Sequence, residues 1–314
     1  MATAHPSGPN AIPPAVRYLP HSAGVYRFVD VRGRVLYVGR AVDLRRRVAS
    51  YWGGLRDRRH LRSMVSAVRH VQAVVCASEH EAAWLERNLL ELRKPRANRS
   101  RGGAEVPTFI AMNCSGGAPR LEVAHSPRQG AWQHFGPYLG GDRARLALSG
   151  LHRAYSWSYQ REGLTGSQQE MARARAVTTL SRAELVQAVS AVLDREPAAV
   201  AHVKSELRRH RDRAAVALAF ELAGRIQDEI EAIDWLTSTQ RVTTAEPYDL
   251  DIYGWDNGPL VHFSVRDGRL STWRERTADV RQAQRLTRRT PSAWAEFAQE
   301  NAVLAARLAS APEI

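Results

Sequence analysis

Six side chains in the first third of the sequence have the types and spacing to handle a phosphate: Tyr26, Tyr37, Arg40, Arg47, Tyr51 and Glu86. Tyr26 and Tyr37 close and open two apolar runs, Gly24-Val25-Tyr26 and Tyr37-Val38-Gly39, in places where a plain core would carry Leu or Val. Phenols, guanidinium groups and a carboxylate together can grip a phosphate, hold a cation beside it and move a proton. Glu86 is the informative member. It borders an apolar helical stripe, and the residues three and four positions away, Ala82, Ala83, Leu89 and Leu90, offer no charge. Its carboxylate therefore needs a tertiary partner, a metal or water, unless it is an exposed glutamate in a good helix former. Arg47 has a bland alternative too, an i,i+4 pair with Asp43.

The elements that must position these groups can be read from the pattern. Val25 to Val29 and Val35 to Val38 are β-branched runs joined through Arg32-Gly33, a hairpin that puts Tyr26 and Phe28 on one face and Val25 and Arg27 on the other. Asp43 caps a helix running to about Trp52, with Leu44, Val48 and Tyr51 facing inward. A second basic helix is expected over Arg58 to Val68, and a third strand over His70 to Cys76. Ser78-x-x-Glu81 opens a helix with Ala82, Leu85, Leu89 and Leu92 as its inner stripe, ended by Lys94-Pro95. After a polar linker, Phe109 to Met112 and Leu121 to Val123 read as strands, His134 to Tyr138 as a turn, and Asp142 to His152 as a helix. Residues 160 to 176 carry no clear pattern. Val203 to Leu236 is strongly helical, with a break at Phe220-Glu221 where one helix can fold back on another. Tyr248 to Thr272 has strand-like runs about a turn at Arg266-Asp267-Gly268, and Ser292 to Leu308 is an amphipathic helix.

With 314 residues the chain exceeds the usual single-domain size. The expected division is a disordered tail over 1–15, a first α+β domain over 16–100, an accessory α+β region over 101–195, a helical hairpin over 196–240, and a last region over 241–314. Residues 1 to 105 hold 19 Lys and Arg against 8 Asp and Glu, whereas the remaining residues hold 26 against 24. The net charge of +13 thus belongs to the amino-terminal third, which fits a polyanionic partner. Arg45, Arg46, Arg56, Arg58, Arg59 and Arg62, with Arg40, are the candidates for backbone contacts to DNA, against the alternative of a solvated charged face. Two cysteines exclude a disulfide framework and a cysteine metal cluster, and no apolar run is long enough to span a membrane. A cytoplasmic protein is expected.

Gly24-Val25-Tyr26, Tyr37-Val38-Gly39, Arg47, Tyr51, Glu86 and Asn98, in this order and spacing, resemble the GIY-YIG nuclease domain. Leu85-Glu86-x-Asn88-Leu89-Leu90 with Pro95 and Asn98 is similar to its version in UvrC, the incising subunit of bacterial nucleotide excision repair. Phe135-Gly136-Pro137-Tyr138 resembles the UvrC segment after the nuclease domain. Ala214-Ala215-x-x-Leu218-x-Phe220-Glu221 with Arg225, Asp228 and Ile230 resembles its UVR hairpin, and 241–314 resembles the segment preceding the UvrC endonuclease domain. The RNase H-like and helix-hairpin-helix parts of UvrC are not expected here, a composition shared with the shorter homologue Cho, which makes the 3′ cut alone. The sequence departs from the family at Arg40, often Lys, and at Arg211, Gly224 and Gln227 in the hairpin. The cysteines of many UvrC proteins are missing, so no iron–sulfur cluster is expected.

The resemblance implies a small three-stranded sheet flanked by helices, and a metal-dependent DNA endonuclease that hydrolyses a phosphodiester on the 3′ side of a lesion. Glu86 would hold Mg²⁺ or Mn²⁺, largely through waters. Tyr37 would take the proton from the attacking water, Arg47 would hold the scissile phosphate, and Tyr26 would orient the phosphate or water. Asn98 would brace the Glu86 side, and Tyr51 would pack the helix and point its hydroxyl at the site. The partners implied are double-stranded, damaged DNA and, through Phe220, Ile226 and Ile230 of the hairpin, UvrB. Two alternatives stay open: a non-catalytic DNA-binding paralogue that regulates or competes with UvrC, and a structure-specific nuclease that works without UvrB.

Overall fold

The first hairpin turns at Asp30, whose carboxylate accepts hydrogen bonds from the backbone N–H of Arg32 at 2.8 Å and of Arg34 at 2.9 Å. Gly33 supplies the positive φ of 73° that this tight connection requires. In this computed structural model, which describes residues 12–53, 61–99, 105–115, 119–160, 164–174, 177–312 and 314, the hairpin strands are β1 (Gly24–Val29) and β2 (Val35–Ala41). With β3 (His70–Val75) they form an antiparallel sheet in the order β2-β1-β3. The register sets Tyr26 opposite Gly39 and Phe28 opposite Tyr37, so the three aromatic rings share a face.

Helix α1 (Leu44–Ala49) is capped by Asp43, which accepts from the Arg46 N–H. It is shorter than the spacing suggests, yet Tyr51 and Trp52 in the turn beyond it remain buried with Leu44 and Val48. Among the described residues the second basic helix covers α2 (Arg62–Val65); Arg56, Arg58 and Arg59 lie outside the described residues. Helix α3 (Glu79–Leu92) starts at Ser78, whose hydroxyl accepts from the Glu81 N–H. Its inner face is Ala82, Leu85 and Leu90; Leu92, expected to face inward, is exposed.

Folded structure begins earlier than the composition of the expected tail implies. Residues 1–11 lie outside the described set, but Pro14–Tyr18 is a 3₁₀ turn with Ala15 and Val16 buried in the core of the first sheet. A larger difference concerns the far end of the chain. Residues Met1–Ala104 and Thr239–Ile314 make one compact unit, and Glu105–Ser238 makes another, in place of the serial division expected from sequence.

In the first unit, β7 (Leu250–Trp255), β8 (Pro259–Arg266) and β9 (Arg269–Thr277) form a second antiparallel sheet, followed by α9 (Val280–Thr287) and α10 (Ser292–Ala309). Strand β9 lies against the back of the first sheet. Arg27 stacks 3.9 Å above the Trp273 ring and donates to the Trp273 carbonyl at 2.8 Å, and Gln72 donates to Glu275 at 2.9 Å. Leu304 and Leu308 of α10 join the first core.

The two edges of the first sheet are closed by asparagines. Asn98 accepts from the Val38 N–H at 3.0 Å and donates to the Val38 carbonyl at 2.7 Å, along the outer edge of β2. Asn301 does the same to Val75 on β3, at 2.7 and 3.3 Å. Each carboxamide thereby occupies backbone groups that an open edge would offer to another strand.

The second unit has the sheet β5-β4-β6, built from β4 (Pro107–Asn113), β5 (Arg120–Ala124) and β6 (Trp132–Leu139). His134 to Tyr138, which the sequence presents as a turn, lies inside β6. The helices are α4 (Gly141–Ala154), α5 (Gly166–Ala174) in the stretch without pattern, α6 (Arg182–Leu193), α7 (Pro197–Val216) and α8 (Phe220–Thr237). Glu229 on α8 is fully buried and bonded to Arg153 at 2.6 and 2.9 Å and to Ser149 at 2.7 Å. Among the described residues no helix is long and apolar enough to cross a membrane.

Candidate active site

On the front of the first sheet, Tyr26, Tyr37 and Tyr51 form a triangle of phenol rings with centroid separations of 6.0 to 6.2 Å. Two elements make it: the β1–β2 pairing supplies Tyr26 and Tyr37, and the turn after α1 brings Tyr51 over them. The Tyr26 and Tyr51 hydroxyls are bonded at 2.7 Å. Phe28 stands behind, edge-on to Tyr51 at 4.9 Å and to Trp52 at 5.7 Å, which fixes the rings in place.

The motif glycines serve close approach rather than turns. A Cβ on Gly39 would come within 2.5 Å of the Tyr26 hydroxyl and 2.7 Å of the Tyr37 ring; one on Gly24 would meet the Val74 carbonyl at 2.2 Å. Any side chain at Gly39 would push the Tyr26 and Tyr37 rings apart.

Arg47, on the inner side of α1, sits 5.5 Å from the Tyr51 ring centroid, near enough to the Tyr26 oxygen for the two to interact electrostatically. Burial alone would lower its pKa, but the neighbouring Tyr26, Tyr51 and Tyr37 oxygens outweigh this and raise it. The cation is thus secured beside the phenols. Asp43, the alternative partner for Arg47, bonds His21 at 2.8 Å and the Arg46 N–H at 2.8 Å.

The phenol pKa values rise as well, which favours their neutral form. Burial pushes Tyr26 well above its ordinary value, helped by Tyr51 and Tyr37 and opposed by Arg47. Tyr37 is raised by burial first, then by Tyr51 and by the Glu86 charge, with Arg47 again opposing. At neutral pH both rings therefore carry their protons.

Glu86 finds its tertiary partner in Arg40: the Arg40 Nε lies 3.5 Å from a Glu86 oxygen, and both groups are partly open to solvent. Arg40, expected on the DNA face, is thus turned to the carboxylate. Among the described residues no three His, Cys, Asp or Glu side chains gather as a ready metal cage. A lone, solvent-reached carboxylate still suits Mg²⁺, which binds through one or two carboxylates, waters and substrate phosphate.

The remaining expected residues divide. Asn98 is 8% exposed and its carboxamide is committed to Val38, so it positions the β2 edge that carries Tyr37 and Gly39 rather than reaching into the site. Arg45 is a correction as well: it donates to the Leu19 carbonyl at 2.7 Å and to the Arg17 carbonyl, pinning the 3₁₀ turn instead of facing a ligand. Arg46 and Arg62 are exposed. In the hairpin, Phe220 is 67% exposed, but Ile226 and Ile230 are buried in the core of their own unit and are not available to a partner. Sequence reasoning missed Asn301, which holds β3, and gave Asn88, quoted only within the family motif, no role of its own. Asn88 holds α3, donating to the Val242 carbonyl at 3.2 Å and to Thr243 at 2.9 Å.

Residues 22–99 match the family described as the UvrC-like GIY-YIG domain. Proteins called UvrABC system protein C are similar over most of the chain: that of Geobacter metallireducens is 32% identical, with 80% of this chain and 43% of the relative covered. That of Mycobacteroides abscessus is 31% identical over 86% of this chain and 43% of its own length, and that of Syntrophomonas wolfei 28% identical over 81% and 44%. The chain spans less than half the length of these relatives. No solved structure matches. Together with the tyrosine–arginine face and Glu86, these likenesses identify the chain as a UvrC-like GIY-YIG homologue.

Proposed function

We propose that the protein is a metal-dependent DNA endonuclease of nucleotide excision repair that hydrolyses a phosphodiester on the 3′ side of a lesion. The observation that carries this is the meeting of Tyr26, Tyr37, Tyr51 and Arg47 on one sheet face, with Glu86 close enough for its charge to be felt at Tyr37. Arg47 would hold a non-bridging oxygen of the scissile phosphate and offset charge in the transition state. Tyr26, fixed by Tyr51, would orient the phosphate or the water. Tyr37 would accept the proton of the attacking water. Its raised pKa opposes that role, and offsetting the Glu86 charge removes one of the pushes that raise it. Glu86 would hold Mg²⁺ or Mn²⁺, which supplies an acidified water and neutralises phosphate charge.

DNA would be gripped by the exposed Arg46 and Arg62 together with Arg47. UvrB would dock at the tip of the α7–α8 hairpin, where Val216, Leu218 and Phe220 are 86, 74 and 67% exposed. Arg211 does not burden that surface. It donates to Gln227 at 2.7 Å and pairs with Asp212 at 2.9 Å, so two departures from the family pattern satisfy each other across the hairpin.

One observation favours a second reading. The Arg40 guanidinium beside Glu86 competes with a cation for the same carboxylate, as it would in a paralogue that binds DNA without cutting it. Incubating the full chain and Mn²⁺ with a duplex carrying one bulky lesion, with and without UvrB, and mapping the product ends separates the two. The proposal expects one nick 3′ of the lesion; binding without any nick in either condition would establish the paralogue instead.

A further inference from the structure

The second unit contains a cavity of about 410 Å³ that the nuclease chemistry does not use. It lies between α7 and the segments 154–160 and 177–180, at the small end of the roughly 300–1,000 Å³ range of ligand pockets. One wall is a single stripe of α7, in which His202, Glu206, Arg209, His210 and Arg213 recur at helical spacing. The opposite wall is uncharged, with Ser156, Gln160 and Thr178 set among the apolar Ala154, Val177 and Leu180. Gln160 ties it together, donating to the Tyr155 and Thr178 carbonyls, both at 2.9 Å, and accepting from the Leu180 N–H at 2.7 Å.

Charge is unevenly distributed along the stripe. Arg209 pairs with Glu206, and nearby Arg153 is neutralised by buried Glu229, so the carboxylates of this region are engaged away from the end of the stripe that holds Arg213 and His210. Burial first, then Arg153 and Arg213, lower the His210 pKa, with Glu206 opposing. Ser156, on the cavity wall, holds the left-handed region at φ 47° and ψ 49°, a conformation costly for a residue with a side chain and characteristic of ligand sites.

We propose that this cavity binds a terminal phosphate, the dianionic monoester of a free nucleotide or of a nucleic-acid strand end, seated between Arg213 and His210. Guanidinium and imidazole N–H groups supply directed donors to such an oxygen-rich dianion, and Gln160 and Thr178 face whatever carries it. A terminal monoester carries one more negative charge than a backbone phosphodiester, and with it a stronger pull on Arg213 and His210.

Calorimetry on the full chain tests this with four probes: inorganic phosphate, deoxyadenosine monophosphate, and a short single-stranded oligonucleotide with and without a 5′-phosphate. Saturable one-site binding of phosphate is expected, weakened at least tenfold in both Arg213→Gln and His210→Gln and unchanged in Arg47→Gln, which disables the phosphate grip of the first unit. Arg213-dependent binding of the mononucleotide with no gain from the 5′-phosphate on the strand identifies a free nucleotide as the source, and a gain from the 5′-phosphate that is lost in Arg213→Gln identifies a strand end. His202→Gln, at the other end of the stripe, should bind nearly as wild type, and serves as the folded control alongside far-UV circular dichroism. No saturable binding of any probe, or a signal lost in Arg47→Gln and kept in Arg213→Gln, would overturn the assignment whatever the nuclease assays show.

Discussion

Tyr26 and Tyr51 share a 2.7 Å hydrogen bond inside a wall of rings, so losing one hydroxyl strips the other of a partner. Tyr51→Phe should lower stability by about 0.5–1.5 kcal/mol, read from urea midpoints, because the buried Tyr26 hydroxyl loses its hydrogen-bond partner. The raised phenol pKa values set a sign for pH. Folding holds the Tyr26 and Tyr37 protons to higher pH than the unfolded chain does, so their contribution is complete below about pH 10 and is lost as pH rises through the folded values. Urea midpoints at pH 8 and 10.5 should fall more in wild type than in Tyr37→Phe. For the chemistry, a base that is mostly protonated at neutral pH gives a nicking rate that climbs about tenfold per pH unit between pH 7 and 9. A flat profile would remove Tyr37 from the base role.

At the scale of elements, the first sheet is held from both sides by residues far away in sequence. Asn301→Ala should destabilise the first unit by about 1–3 kcal/mol, since the Val75 N–H and carbonyl would be left unpaired at a buried edge. In the second unit, Arg153→Met strands the buried Glu229 carboxylate on α8, with an expected loss of about 3–5 kcal/mol by thermal or urea melting. The β1–β2 hairpin, the Asp43 and Ser78 caps and the front face of β1 were legible because alternation, capping residues and glycine spacing are local signals. The role of Asn98 was not, because its chemistry lies in a two-bond contact with Val38, sixty positions away, which no local pattern announces. The strand through Phe135-Gly136-Pro137-Tyr138 was hidden by Gly and Pro, the usual marks of a turn. Ile226 and Ile230 belong to an apolar stripe whose partner turned out to be the chain's own core.

For the molecule as a whole, regrouping the chain sharpens the charge asymmetry. Residues 105–238 carry 16 Lys and Arg against 15 Asp and Glu, so +12 of the net +13 belongs to the unit that holds the tyrosine–arginine face. DNA affinity should therefore fall steeply with salt, and Arg46→Gln with Arg62→Gln should reduce the slope of log K against log salt by about 0.9 for each phosphate that is no longer neutralised. Phe220→Asp should abolish capture by UvrB while leaving DNA affinity unchanged, as measured by titration with each partner. The central claim is that the site cuts DNA, and single-turnover nicking of a lesion-bearing duplex in Mn²⁺ tests it most directly, with wild type compared to Glu86→Ala at protein concentrations that saturate the DNA. The account predicts nicking by wild type and none by Glu86→Ala at equal DNA affinity; equal, metal-insensitive cleavage by both, or none by either, would contradict it.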